Sequence, residues 1–274
     1  MPDEERKTWS ASLHQTFRLL PEPSAHLRPF LESDGLTPQE ILLKLPYDSA
    51  RAKDPGQTAD PKRYRDGRLM YETIGLLYED DGGILHVTSL GIATLRWLDL
   101  INAKNFIILA KNAAYALSAC QLRNPVGMGK QYHESVNVFP FAFIWRAMLA
   151  LEGHISSDEL NRAIFKVTKE EELNAAIAKI TQARTKKDTT VMGPETISGS
   201  KKDDRIIPWM SLASFGWTLF SDKSGGGGYY EIFETTKPII REASRIHHKS
   251  REFDSAKAYA EHVANAAALP VDMR

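Results

Sequence analysis

Ile74-Gly75-Leu76-Leu77-Tyr78, a turn at Glu79-Asp80-Asp81-Gly82-Gly83 and then Val87-Thr88-Ser89 form a run with a later counterpart. That counterpart is Phe215-Gly216-Trp217-Thr218-Leu219, a turn at Gly225-Gly226-Gly227-Gly228, and Phe233-Glu234-Thr235. Each copy reads as a helix end, a glycine, a strand, a glycine turn, a strand ending in threonine, and a new helix. Glycine-rich turns between short apolar runs signal hairpins. A repeat of this length points to two copies of one small structural unit.

Outward from the first copy, Ser24 to Ser33 places Leu27, Phe30 and Leu31 at helical spacing, and Asp34-Gly35 stops it. Thr37-Pro38-Gln39-Glu40 is a helix start with Thr37 as N-cap, Pro38 at the first helical position and Glu40 closing a capping box. The helix carries Ile41, Leu42 and Leu45 and ends before Pro46; Arg51 to Ala59 is a polar loop. Asp60-Pro61 opens a second capped helix whose Leu69, Met70, Thr73, Ile74 and Leu77 share a face. After the hairpin with Ile84-Leu85-His86-Val87-Thr88, Ser89 is read as the cap of a helix over Leu90 to Leu98. Helix, helix, basic helix, hairpin, helix is the order of a winged helix. Such a unit suits DNA because the major groove, about 12 Å wide, admits one helix.

Asp99 to Leu122 reads as one long apolar helix packed between the halves, ending at Asn124-Pro125. Beyond it the pattern repeats with insertions. A helix runs from Phe141 to Glu152, and Ser156-Ser157-Asp158-Glu159 caps the next. Lys169 to Arg184 forms another, Thr185 to Asp204 reads as a polar loop whose part from Thr185 to Ser200 orders on DNA, and Arg205 to Phe215 as the helix that faces DNA. Lys237 onward is helical. The expected fold is therefore mainly α with small β-hairpins (α+β), as two winged helix-turn-helix domains in tandem joined by a long helix. The divisions are 1–98 with an N-terminal arm, 99–125, and 126–274 with a C-terminal helix.

Composition narrows the function classes. The chain is 42% hydrophobic and 26% charged, as a globular protein is, and no apolar run approaches the roughly 18 residues of a bilayer span. Met1-Pro2-Asp3-Glu4-Glu5-Arg6-Lys7 has no apolar core, so no signal peptide is read and a cytoplasmic, nucleoid-associated location is expected. The single cysteine, Cys120, lies in an apolar stretch and excludes an intrachain disulfide or a cysteine zinc site. With 35 basic and 35 acidic residues, the chain lacks the basic surplus of a non-specific nucleic-acid binder. A specific binder depends on where charge sits, and Arg51 to Arg68 holds Arg51, Lys53, Lys62, Arg63, Arg65 and Arg68 against Asp54, Asp60 and Asp66.

At this point the residues carry a likeness. Lys7-Thr8-Trp9-Ser10, Thr16-Phe17-Arg18 and Pro21, followed by Leu27 and Leu31, resemble the opening of the AlwI-like and FokI-like type IIS restriction endonucleases. Tyr71 to Leu95 resembles their first winged helix, and Pro140-Phe141 to Leu160 is similar to the second. The resemblance implies winged helices that read an asymmetric site, with cleavage in a separate PD-(D/E)xK domain. It implies that this chain corresponds to the recognition half, free-standing or part of a larger enzyme. It also implies that the arm with Gln15 and Arg18 lies against DNA. The nuclease pattern itself is missing: Asp48 with Asp60-Pro61-Lys62 puts a proline in the required strand, and Asp3 with Glu5-Arg6-Lys7 leaves no room for one.

The candidate DNA contacts are Gln15 and Arg18 on the arm, and Lys62, Arg63, Arg65 and Arg68 at the start of the first recognition helix. The second set is Lys186, Lys187, Lys201, Lys202, Arg205, Ser211 and Ser214. Arginine and lysine are apt because they pair with phosphates and, bidentately, with guanine O6 and N7. Their bland alternative is a solvated helix face paired with Asp60 and Asp66, and Trp209 reads as core. His247-His248 reads as a solvated basic helix, since adjacent helical positions point about 100° apart and share no metal. Gly225 to Gly228 lacks the Lys-Ser/Thr of a phosphate loop and reads as a wing tip. No catalytic residue, metal or cofactor is expected, and the partner is double-stranded DNA, bound by a monomer, with a nuclease domain or subunit as a second partner. Modified bases are a further class of target. The competing classes are a bacterial winged-helix transcriptional regulator, which pairs as a dimer on a palindrome, a protein-interaction scaffold, and a nuclease.

Overall fold

The computed structural model describes residues 9, 16–45, 60–99, 103–197, 201–225 and 228–267; at 63, 103–105, 128, 131 and 201–204 it describes backbone alone. The first half is α1 (Leu27–Leu31), α2 (Pro38–Lys44), α3 (Pro61–Thr73), β1 (Leu77–Glu79), β2 (Leu85–Val87) and α4 (Ser89–Asp99). The Thr37/Glu40 capping box forms as read, and Asp60 caps α3 by accepting the Lys62 amide at 2.9 Å. β1 and β2 pair antiparallel with Leu77 opposite Val87. The cap of α4 is Thr88, one residue earlier than read. Its Oγ1 accepts the Gly91 amide at 3.2 Å and donates to the Gly75 carbonyl at 2.6 Å. Ser89 is the first helical residue.

α5 (Ala103–Ser118) is shorter than the expected run to Leu122. Asn124 takes over there, its Nδ2 donating to Gln121 O at 2.8 Å and its Oδ1 accepting the Val126 amide at 2.8 Å. A 3₁₀ turn at Gly127–Gln131 then leads to the second half.

That half is α6 (Pro140–Ala150), β3 (His154–Ser156), α7 (Ser157–Glu159) continued by a π turn at Leu160–Ile164, and α8 (Leu173–Lys186). It goes on through α9 (Lys201–Ala213), β4 (Phe220–Asp222), β5 (Tyr229–Ile232) and α10 (Lys237–Ala243). The Ser156/Glu159 capping box is present. Its sheet has three strands in the order β3-β5-β4, all antiparallel, so the second hairpin gains a strand that the first lacks. Among the described residues the molecule is thus helices with two small antiparallel sheets, and no helix is long and apolar enough to cross a membrane.

The sequence repeat holds with a shifted register. α3 ends in a Schellman motif: Gly75 at φ +71° donates to Glu72 O, and Leu76 to Tyr71 O, each at 3.0 Å. α9 ends in the same bonds one residue earlier, Phe215 to Leu212 O and Gly216 to Ser211 O, each at 2.8 Å. Phe215, Gly216 and Trp217 then take φ of +47°, +66° and +72°, a left-handed turn that delays β4 to Phe220. The counterpart of Leu76 is therefore Leu219. Buried Thr88 bonds the Leu76 carbonyl, and buried Thr236, not Thr235, bonds the Leu219 carbonyl.

The polar loop expected over Thr185 to Asp204 is mostly ordered structure. Thr185 and Lys186 complete α8, Thr189–Met192 forms a 3₁₀ turn, and α9 begins at Lys201. Buried Asn161 fixes Ile197 on both sides, accepting its amide at 2.8 Å and donating to its carbonyl at 2.9 Å. The helix expected from Lys237 also divides. It stops at Ala243, and α11 (Ala256–Ala266) resumes after an irregular stretch. His247 and His248 lie in that stretch, not on a helix, and His248 Nε2 meets Ser118 Oγ at 2.9 Å.

The chain ends cross between the halves. Trp9 is fully buried in the second half, against Phe143, Phe165 and Trp209, with its Nε1 on Val167 O at 2.8 Å. α11 lies instead on the first half, where the Tyr259 hydroxyl donates to Thr73 O at 2.9 Å and Val263 packs on Gly75. One continuous cluster of buried side chains joins both halves.

Gly216 is where the arm docks: its carbonyl accepts the Leu19 and Leu20 amides at 3.0 and 3.1 Å. A Cβ there would lie 2.6 Å from the Leu19 nitrogen, on a residue already at positive φ. Gly35 shares the positive φ but faces open space. Gly216→Ala is expected to destabilise by roughly 3 kcal/mol, and Gly35→Ala by about 1 kcal/mol, read as urea midpoints.

Candidate nucleic-acid interface

The first candidate surface is the exposed stripe of α3. Tyr64, Gly67, Met70 and Tyr71 turn inward, and Lys62 and Arg65 turn to solvent on the first two turns. Leu69 continues that stripe but is covered by the Gly127 turn. The N-terminal half of the helix is therefore what a partner can reach, and it is the half that a recognition helix uses. Arg65 touches the largely buried Asp66 at 3.4 Å, yet its own side chain remains 59% exposed, so part of the guanidinium is open to solvent. Lys62 has no ion pair among the described residues. The Arg63 side chain lies outside the description, as does Gln15.

Arg68 departs from the expectation. It is half-buried and pairs with Glu79 and, at 3.8 Å, with Glu72. Tyr64 donates to Glu79 at 2.7 Å, and Glu72 accepts the Glu79 amide at 3.0 Å. These four side chains lock the back of α3 onto β1, so Arg68 positions the helix and is not a free contact. Tyr64 and Glu79 were absent from the candidates. Tyr64 and Arg68 sit one turn apart on α3, but nothing local shows that Glu79 folds back to meet them.

The second set disperses. Ser211 and Ser214 are fully buried. Ser211 Oγ accepts the Phe17 amide at 3.0 Å, and Ser214 Oγ accepts the Trp217 amide at 2.8 Å, so both hydroxyls organise the arm and the left-handed turn. The span read as a DNA-facing helix is largely interior, because Ile206, Trp209, Met210, Leu212 and Ala213 line the core. Arg205 is half-buried on the part of α9 nearest solvent; the side chains of Lys201 and Lys202 lie outside the description. Arg18 is exposed beside Gly216, at the other end of α9 from Arg205, roughly 16 Å along the axis. Lys186 and Lys187 are exposed at the end of α8. That end is fixed by Arg184, whose guanidinium bonds Glu159 at 2.6 Å and His154 O at 3.1 Å. Asp60 is a helix cap, while Asp48 and Asp3 lie outside the described residues.

No family model matches the sequence, and no curated protein does. The fold is similar to that of the BpuJ1 endonuclease binding domain, solved in complex with pyrene- and phenanthrene-modified DNA. The TM-score is 0.55 at 12% identity, and the match covers 93% of this chain and 100% of that one. At this identity the likeness is one of fold.

Burial pushes the Glu72 carboxyl up to about 7 from 4.5, against the pull of Arg68. Between these values the folded chain holds a proton that the unfolded chain releases. The stability it contributes is therefore complete below about 4.5 and is lost as pH rises towards 7. Denaturant midpoints of the wild type, relative to Glu72→Gln, are expected to fall across that window. A constant difference would mean that Glu72 is not held protonated behind α3.

Proposed function

We propose that this chain is a sequence-specific reader of duplex DNA of restriction type, built from two winged helices and without cleavage activity of its own. One observation carries the reading: α3 offers Lys62 and Arg65 to solvent on a helix braced from behind, in a fold shared with a domain solved on DNA. A helix so braced enters the major groove N-terminus first, where Arg65 can pair with guanine O6 and N7 and Lys62 with a phosphate. In the second winged helix the described residues of α9 after Ile207 are buried, so the DNA contact is assigned to its first turn and Arg205. This copy positions the duplex more than it reads it, with Arg205 and the flanking Lys201 and Lys202 on the backbone. Arg18 extends the contact from the arm.

Two unequal units in one chain favour an asymmetric target bound by a monomer. A partner nuclease domain or subunit then supplies cleavage. The reading extends to modified bases, because the major groove displays the C5 and N6 substituents that modification enzymes add.

Selection from a randomised duplex pool at about 150 mM salt tests this. Enrichment of one short non-palindromic motif, from plain or methylated pools, is the expected result. On that motif Arg65→Ala is expected to lose about 1–3 kcal/mol and to relax preference at one base position. A palindrome would favour a dimeric regulator, and the absence of any enrichment would overturn the proposal.

A further inference from the structure

Beside the Gly127 turn that covers Leu69 is an open cavity of about 440 Å³. Its walls are two segments far apart in sequence, 121–130 and 250–253, and its charged residues are Arg123, Lys130, Arg251 and Glu252. Both walls are rigid for identifiable reasons. Buried Gln121 staples them, its Nε2 donating to Arg251 O at 2.7 Å and its Oε1 accepting the Arg251 amide at 2.8 Å. Asn124 holds the other wall, and Gly129 sits so close to it that a Cβ would meet Oδ1 at 2.2 Å. The Arg251 guanidinium lies over the Phe253 ring at 4.6 Å and has no carboxylate partner among the described residues. Stacking of this kind fixes the plane of a guanidinium and leaves its N–H edge available. Arg123 pairs with the exposed Glu252 at 2.9 Å. Lys130 is exposed on the rim.

We propose that this cavity seats a phosphate of the DNA backbone, held by Lys130 and Arg251, beside the groove that α3 enters. The placement follows from α3 itself. Lys62, Arg65 and Leu69 recur at helical spacing on one stripe, and the turn carrying Lys130 packs directly on Leu69. The rise from Lys62 to Leu69 is roughly 10 Å, so the seat lies beyond the reading residues along the same face. Lys130 also borders a second groove, of about 630 Å³, where the carboxylates Glu72, Glu79, Asp80, Asp81 and Asp254 outnumber the cations Arg68 and Lys257. That excess disfavours phosphate there, whereas on the Arg251 side the one lining carboxylate, Glu252, is paired with Arg123. The seat supplies register and affinity without base information.

This inference rests on the DNA-reading proposal, and the experiment separates the two. Binding of the full-length chain to its selected duplex and to a scrambled duplex is measured by fluorescence anisotropy from about 50 to 300 mM salt. For Lys130→Gln/Arg251→Gln, affinity is expected to fall about tenfold on both duplexes, and the slope of log K against log salt to fall by about 1. A methylphosphonate scan is expected to find one backbone position that weakens the wild type and leaves the double variant unaffected. Thermal midpoints matching the wild type establish that the variant is folded, and Lys130→Gln alone, which leaves the Arg251–Phe253 stack intact, provides a second reading. If the wild type binds DNA but the variants keep its affinity and slope, the seat alone is overturned. A loss confined to the selected sequence would likewise overturn it, by making these residues base readers. If the wild type binds no duplex, both proposals fall.

Discussion

The crossing of the chain ends sets the relation between the two helix-and-hairpin units. Trp9 is buried in the second half, while Tyr259 and Val263 of α11 close on the last turn of α3 and on Gly75 in the first. Each end thus fills a core that the other half begins. Two units on a flexible linker would move independently; two units sharing one close-packed interior hold a fixed spacing. The stapling of 121–130 to 250–253 by Gln121 depends on the same crossing, because the return of the chain towards α11 is what brings Arg251 to the α5 end.

The neutral net charge acquires a meaning once the pairs are placed. Among the described residues Arg28, Arg68, Arg123, Arg146, Arg162 and Arg184 have carboxylate partners, and the half-buried Arg68, Arg146, Arg162 and Arg184 tie elements of the fold together. Towards solvent the exposed cations include Lys62 and Arg65 on α3, Arg18 on the arm, Lys130 and Arg251 at the cavity, Lys186 and Lys187 at the end of α8, and Arg241, Arg245 and Lys249 near α10. With 35 basic and 35 acidic residues these cations carry no net surplus, so the chain lacks the counterion-release drive of a strongly basic surface.

Local rules made much of the fold legible. Thr37 with Glu40, Asp60 before Pro61, and Ser156 with Glu159 mark helix starts through bonds made within a few residues. Leu85 to Val87 and Tyr229 to Ile232 read as strands because glycine-rich turns precede them. Long-range pairing stayed hidden. Ser211 and Ser214 read as surface polar residues, yet their hydroxyls satisfy amides of the arm and the left-handed turn. Phe215 takes a left-handed conformation that sequence rules assign to glycine, and the turn that follows displaces the repeat register by two residues on the way to Phe220. Met192 to Ile197, within the span read as a loop, owe their order to direct hydrogen bonds from Asn161, Arg162 and Lys166, which lie far away in sequence. On the candidate site, residue types and the position of α3 were readable, whereas the neutralisation of Arg68 needed the folded hairpin.

The most direct test of the central claim is the ratio of affinities of the intact chain for its selected duplex and for a scrambled duplex of the same length and composition. Both are measured by competition at about 150 mM salt. Specific reading predicts a ratio of at least about 10³, and near-equal affinities would contradict it.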